Sequence, residues 1–416
     1  AVDYNKDGRL DLFISGRVKP WEYPEPVSSI ILRNDSKGGV TKFTDVTAQV
    51  APALNKIGMV CDALFTDFDN DGWPDLIMAG EWMPITILKN TKGKFINITA
   101  GTGIENKLGW WNSITAGDFR HTGRMDYIVG NVGKNSLMKA NEQYPVYITA
   151  KNFDKSGYSA VPSIYLKDEK GVLKEFPVAG RDDMAKQMIS MKKKFTNYKS
   201  YATATLEEVL SKEQRKGALR LQANLLESCY LRNDGAGKFT LIPLPVQAQV
   251  SVINGMEVGD FDGDNNLDVL MNGNDYGTEV SIGRYDALNG LMLKGDGTGK
   301  FKPLSILQSG IYIPGNGKAL VKLRNSKGQV LVAASQHKDF LKIFEQQYNN
   351  KTIAIQPDDS YAITKYKNGK MSRQEFYYGS SFLSQSARFI NNNENISSIE
   401  VVNALGQKRS LPLSVN

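Results

Sequence analysis

Two recurrences in this chain predict an all-β fold of repeated four-stranded sheets, a β-propeller. One is a nine-residue acidic loop: Asp3-x-Asn5-x-Asp7-Gly8-x-x-Asp11, Asp67-x-Asp69-x-Asp71-Gly72-x-x-Asp75 and Asp260-x-Asp262-x-Asp264-Asn265-x-x-Asp268. The other comprises Leu32-Arg33-Asn34, Leu88-Lys89-Asn90, Leu231-Arg232-Asn233 and Leu293-Lys294-Gly295, each leading through a turn to an aromatic at Phe43, Phe95, Phe239 or Phe301. Short apolar runs ending in Gly follow the acidic loops, at residues 12–16, 76–80 and 269–273. Runs this short are strands, not helices. A strand–loop–strand hairpin joined to an outer hairpin makes one blade.

Worn copies fill the gaps. Asp118-x-Arg120-x-Thr122-Gly123-x-x-Asp126 keeps the turn and the strand at 127–130 but has lost two ligands, and the Arg120 guanidinium is expected where a cation would sit. Asn152-x-Asp154-x-Ser156-Gly157-x-x-Ala160 is weaker still. Neither is expected to bind calcium. A last unit at 319–345 has strands over 320–323, 330–334 and 341–344 but no acidic loop. About six units are visible, which predicts about seven blades, with one lost at a truncated N-terminus.

Met184, Met188, Met191 and Phe195 recur at helical spacing, and Thr205-x-x-Glu208 reads as a capping box. These predict a helical insertion over 180–226, its methionines used for packing. After Gln347 the pattern changes to hairpins, over 361–366 with 373–378 around Asn368-Gly369, and over 399–403 near Gly406. The expected domains are a propeller at 1–347 and a small β-rich C-terminal module at 348–416.

The acidic loops carry the chemistry. Oxygens from positions 1, 3, 5 and 9 can converge on one hard cation: Asp3, Asn5, Asp7 and Asp11; Asp67, Asp69, Asp71 and Asp75; Asp260, Asp262, Asp264 and Asp268. The position-7 carbonyl (Arg9, Trp73, Asn266) can add a ligand. Ca²⁺ takes six to eight oxygens in irregular geometry. The bland alternative is a solvated Asp-Asn-Gly turn. Repetition argues against it, because such grouped carboxylates repel one another unless a cation compensates. About three calcium sites are expected.

The chain of 416 residues carries 38 Gly and 18 Tyr, which suits a turn-rich β-protein. Its net charge of +7 is dispersed, and the one dense run, Lys192-Lys193-Lys194, reads as a solvated helix face. No nucleic-acid partner is expected. No apolar run is long enough to span a bilayer. Cys61 and Cys229 are the only cysteines; whether they pair is open, and they make no disulfide framework. Millimolar extracellular calcium would keep such loops filled, which favours an extracytoplasmic setting, secreted, periplasmic or at the outer surface. The chain opens inside a loop without Met and reads as part of a longer polypeptide.

The repeats resemble the FG-GAP/VCBS repeats of integrin-α-like propellers over nearly the whole chain. More narrowly, the chain resembles large bacterial surface proteins, common in Bacteroidetes, that join such repeats to an ASPIC/UnbV-like C-terminal segment. The stretches that carry this are Gly16-Arg17-Val18 with Tyr23-Pro24-Glu25-Pro26, Gly109-Trp110-Trp111-Asn112-Ser113 running into Gly117-Asp118-Phe119, Gly130-Asn131-Val132-Gly133, Arg181-Asp182-Asp183, and residues 378–386, Tyr-Gly-Ser-Ser-Phe-Leu-Ser-Gln-Ser. The resemblance implies calcium in the nine-residue loops and an extracytoplasmic location. It carries no catalytic residue.

The sequence offers little for catalysis. His121 and His337 lie in unrelated segments, and His121 reads as a surface turn residue. No H-E-x-x-H or G-x-S-x-G occurs. The acidic pairs that would suit glycoside hydrolysis are committed to the loops. The expectation is a non-catalytic, calcium-stiffened scaffold that binds or adheres to a protein or glycan at the cell surface. Trp21, Tyr23, Trp82, Trp110 and Trp111 are its candidate contacts, with packing between blades as their alternative role. The alternative function is a propeller hydrolase or lyase acting on polysaccharide.

Overall fold

The computed structural model describes residues 1–278, 282–347 and 351–413, and these are mostly β, in small antiparallel sheets. Five sheets follow in chain order through residue 345. The first has three strands: Leu12–Ile14, Ile30–Asn34 and Phe43–Asp45. The second holds Met59–Thr66, Asp75–Met83, Thr86–Thr91 and Lys94–Asn97, with Gly109–Trp110 added at the far end of Asp75–Met83. The third pairs Ser113–Gly117 and Asp126–Gly130 with Cys229–Gly235 and Lys238–Pro243. The fourth holds Ile253–Gly259, Asp268–Gly273, Leu291–Gly295 and Phe301–Leu304, and the fifth Gly317–Arg324, Val330–Gln336 and Lys342–Glu345. The first strands of sheets two to five lie side by side.

The two sequence recurrences meet between sheets. The aromatic at position 2 of the Asp3, Asp67 and worn Asp118 loops packs on the aromatic of the next sheet's last strand. These pairs are Tyr4–Phe95, Phe68–Phe239 and Phe119–Phe301, with ring centroids 5.8, 5.7 and 5.2 Å apart. The Asn of the second motif adds a polar clamp. Asn90 Nδ2 donates to Tyr4 O at 2.9 Å, and Asn233 Nδ2 to Phe68 O at 2.7 Å, so each reaches the loop of the preceding sheet. Buried amides of this kind need partners, and the clamp supplies them. Sheet four has Gly295 at this place, with Leu267 O too close for a side chain.

The stretch between Gly130 and Cys229 is one long insertion. It forms its own sheet from Val146–Lys151, Ser159–Lys167, Leu173–Pro177 and Leu219–Ala223. Five short helices, Arg181–Gln187, Ser190–Lys194, Tyr198–Ala202, Leu206–Val209 and Lys212–Arg215, lie between its last two strands in sequence. The helical stretch is therefore shorter than the expected 180–226, whose end is the strand Leu219–Ala223. Met184, Met188, Met191 and Phe195 are buried together in one cluster, and the Thr205–Glu208 capping box is formed. The worn loop at Asn152 joins two strands of the inserted sheet. That corrects its reading as a unit in line with the others, because a sheet nested between paired strands adds nothing to the row.

Beyond residue 351, Lys351–Ala354 pairs with Phe389–Asn392, and Met371–Glu375, Asp359–Tyr366, Ile396–Asn403 and Lys408–Ser410 form a four-stranded sheet. The expected domain break falls at residue 348, and residues 348–350 and 414–416 lie outside the described residues. These sheets touch every sheet of the row. Ala1 N donates to Tyr378 O, Thr66 Oγ1 to Glu375, the Arg373 N–H to Asp118, the Met256 N–H to Ser381 Oγ and the Lys322 N–H to Ser386 Oγ. Both cysteines are free thiols.

Candidate metal centres

Four loops share one hydrogen-bond pattern, three of them the acidic loops and the fourth the worn copy at Asp118. The position-1 carboxylate accepts the N–H of position 6: Gly8 to Asp3 at 2.8 Å, Gly72 to Asp67 at 3.1 Å, Gly123 to Asp118 at 2.9 Å and Asn265 to Asp260 at 3.0 Å. The position-9 carboxylate accepts the N–H of the residue ending the second motif. Asn34 donates to Asp11 at 2.8 Å, Asn90 to Asp75 at 2.7 Å, Asn233 to Asp126 at 2.8 Å and Gly295 to Asp268 at 2.9 Å. Thus position 9 is tied to the neighbouring strand of its own sheet. The turn demands a left-handed residue at position 6, where Gly72 has φ +82° and Asn265 φ +68°. In the acidic loops the position-5 side chain accepts the N–H of position 7, from Arg9, Trp73 and Asn266.

Carboxylates converge in two of the loops. Asp67, Asp69 and Asp71 each offer an oxygen within 4.8 Å of the others, and so do Asp260, Asp262 and Asp268. Asp264 stands beside the second group, with Lys294 Nζ 3.0 Å from it and also paired to Asp262. In the first group Lys89 Nζ pairs with Asp69 and lies 2.8 Å from Asp71. Both lysines are the middle residue of the second motif, at the same place in the repeat. That shared position was readable in the sequence, but their role at the loops was not foreseen. In the first loop Arg9 takes Asp7 instead, at 2.6 Å, and Asn5 Nδ2 donates to the same oxygen at 3.0 Å. Among the described residues, Asp3, Asp7 and Asp11 form no such convergent group.

The residues fit a hard cation by an independent test. Asp67 Oδ1 and Asp75 Oδ2 are buried without a hydrogen-bond partner, as is Asp11 Oδ2. Asp75 is 0 % exposed. Burial pushes Asp75 up to about 8, Asp268 up to about 7, and Asp67, Asp260 and Asp11 up to about 6. Desolvation disfavours charge at all five, and neighbouring carboxylates add to it, Glu375 at Asp67 and aspartates at the other four. A divalent ion among these oxygens would favour the charged forms and satisfy the orphaned acceptors.

At the worn loop a guanidinium takes that place. Arg120 forks onto Asp126 with Nε–Oδ2 and Nη2–Oδ1 both 2.9 Å, and Nη2 also donates to Asn233 O at 2.7 Å. Neighbouring loops are linked through position 4. Lys6 Nζ sits 4.4 Å over the Trp73 ring, Asn70 Nδ2 donates to Gly123 O at 3.0 Å, and His121 Nε2 meets Asn266 Oδ1 at 3.0 Å. His121 is therefore a half-buried bridge, where the sequence suggested a surface turn residue.

The aromatic candidates divide sharply. Trp111 is 0 % exposed in the core cluster of sheets two and three, and Trp82 is 5 % exposed against Trp110, centroids 5.0 Å apart. Tyr23 is half-buried, accepting from Trp82 Nε1 at 2.7 Å and donating to Glu81 at 2.8 Å. Packing, not contact with a partner, is the role of Trp82 and Trp111, which corrects their reading as contacts. Trp21 is 94 % exposed.

Residues 67–129 match the FG-GAP-like repeat family. Among solved structures the chain is similar to the Vibrio cholerae biofilm matrix protein Bap1, at 9 % identity and TM-score 0.23, covering 96 % of this chain and 58 % of that one. It is also similar to the exotype rhamnogalacturonan lyase YesX, at 11 % identity and TM-score 0.22, covering 92 % and 79 %. The chain thus spans little more than half the length of Bap1. No curated protein matches it. The segment from the Asp67 loop through the strand Asp126–Gly130 carries an FG-GAP-like repeat within an all-β, propeller-like chain.

Proposed function

We propose that this chain is an extracytoplasmic β-propeller scaffold, stiffened by calcium, that binds a protein or glycan partner and has no catalytic role. The observation that carries the reading is the pair of convergent carboxylate groups at Asp67 and Asp260, set in linked loops and containing buried oxygens without partners. Bound there, calcium would supply the positive charge that these groups lack. Asp67, Asp69, Asp71 and Asp75 would hold one ion and Asp260, Asp262, Asp264 and Asp268 the other, with Trp73 and Asn266 carbonyls completing them. The loop of Asp3, Asn5, Asp7, Arg9 and Asp11 would be a weaker third site, because among the described residues its carboxylates form no convergent group.

The chain's own residues would transmit that order. Position 9 of each loop is bonded to a strand of its own sheet, and at the Asp3, Asp67 and Asp118 loops position 4 reaches the next loop, so fixing one of these steadies two sheets. The five sheets in line are the described part of a propeller of about seven blades, and the sheets after residue 351 are the ASPIC/UnbV-like segment. Among the described residues no helix is long and apolar enough to cross a membrane. Trp21 is the contact residue of choice, since an exposed indole can stack on a sugar ring or anchor a protein partner.

Binding to a glycan array tests this. Wild type should retain a ligand that Trp21→Ala loses, with unchanged melting. Turnover of polysaccharide by the purified chain, abolished by substituting one buried carboxylate outside the loops, would replace the scaffold reading with a hydrolase or lyase.

A further inference from the structure

The two sheets after residue 351 are seated on the face that carries the acidic loops, and at the Asp67 loop the contact is made to a proposed ligand itself. Arg373, in the strand Met371–Glu375, places Nη2 3.0 Å from Asp67 Oδ2 and 3.1 Å from Glu375 Oε1. Glu375 in turn accepts Thr66 Oγ1 at 2.8 Å and the Asp67 N–H at 3.2 Å, and Tyr377 OH donates to it at 2.9 Å. The Arg373 N–H donates to Asp118 Oδ2, position 1 of the worn loop, at 3.1 Å. At the third loop Asn393 Nδ2 donates to Asn265 Oδ1 at 2.9 Å. Three loops are thus gripped by one surface.

We propose that seating of the C-terminal sheets and cation binding at the Asp67 loop are coupled, with Arg373 as the positioning residue that joins them. This rests on the calcium reading of the loops. The guanidinium and the Gly72 N–H hold Asp67 Oδ2, and Oδ1 is the buried oxygen left without a partner. One carboxylate therefore serves two clients: an internal guanidinium through one oxygen, and the loop through the other. Groups that orient a ligand from behind tune metal affinity, and their loss costs about 10–100-fold.

The sign follows from burial. The Arg373 and Glu375 side chains are each only 5 % exposed, so the joint is stable only while every charge in it is matched. With a cation bound, Asp67 is charged and fixed where Arg373 needs it. Without one, the single Arg373 guanidinium faces two carboxylates, Asp67 and Glu375, and one buried negative charge in the joint is left unmatched. Coupling of this kind is reciprocal, so seating must in turn strengthen cation binding.

Calcium titration calorimetry and hydrogen exchange on the full chain test it together. Absence of any calcium binding would remove the metal reading itself. Given binding, amides of 371–377 should exchange at least tenfold more slowly (on the order of the second-shell effect) in calcium than in EGTA. Equal exchange would overturn the coupling, and this arm needs no variant. In an Asp262→Ala chain, which lacks the Asp260 site, adding Arg373→Ala should weaken the tighter remaining site, that of the Asp67 loop, about tenfold, with partial recovery in Arg373→Lys. In the wild-type background Arg373→Ala should leave the Asp260 site at its original affinity. An unchanged or raised affinity at the Asp67 loop, or an equal loss at both sites, would sink the proposal.

Discussion

Asp62 shows how one residue can serve two sheets. A bulge between Val60 and Asp62 accompanies a carboxylate whose Oδ2 accepts the Ile114 N–H of the next sheet at 2.9 Å, while Oδ1 accepts the Ala63 N–H. Desolvation raises this carboxyl to about 7, against the pull of those two donors. Its folded value thus exceeds its unfolded value of about 3.9. The folded form binds more protons between those values, so Asp62 erodes stability as pH rises from about 4 to about 7 and adds no further loss above that. Asp62→Asn should flatten this part of the profile, which urea denaturation at pH 5 and pH 7.5 at fixed calcium would reveal; parallel profiles for both proteins would refute it. Arg120 makes a complementary case. Asp126 is completely buried, so Arg120→Ala strands a charge and should cost about 3–5 kcal/mol. It should leave the calcium-induced rise in melting temperature intact, since the Asp67 and Asp260 loops keep their ligands.

At the scale of elements, the loop with its clamp is the repeating device, and it explains what was legible beforehand. The stride of Asp67, Asp69, Asp71 and Asp75 was visible because the grouping of carboxylates and the turn geometry are local in sequence. The hairpins were visible for the same reason. The roles of Asn90 and Asn233 were not, although both were noted, because their partners Tyr4 and Phe68 belong to the preceding sheet. Arg373 left no trace at all: its partners Asp67 and Asp118 are far away in sequence and no periodicity marks it. The tryptophans misled because composition cannot tell an exposed indole from a buried one. Trp111→Ala should therefore cost about 3–5 kcal/mol by opening a cavity, whereas Trp21→Ala should leave stability unchanged. Lys89 gives the sharpest test at this scale. Its ammonium occupies the carboxylates a cation would use, so Lys89→Met should strengthen calcium binding and destabilise the chain in EGTA. Titration calorimetry showing weaker binding would contradict that role.

The whole molecule is a row of sheets that pack through aromatic pairs and are linked on one face by loops, with the C-terminal sheets laid across that face. Each sheet alone has a modest core, so the joints between sheets decide how well the row holds. Cooperative melting should accordingly depend on the loops. Binding to the folded form alone adds about 2.7 kcal/mol per site at a hundredfold excess over Kd, so two sites would add about 5 kcal/mol. The most direct test is scanning calorimetry of the same preparation in saturating calcium and in EGTA. The account predicts a clearly higher melting temperature with calcium, reduced in part by Asp69→Ala. Superimposable curves would show that the acidic loops are only turns.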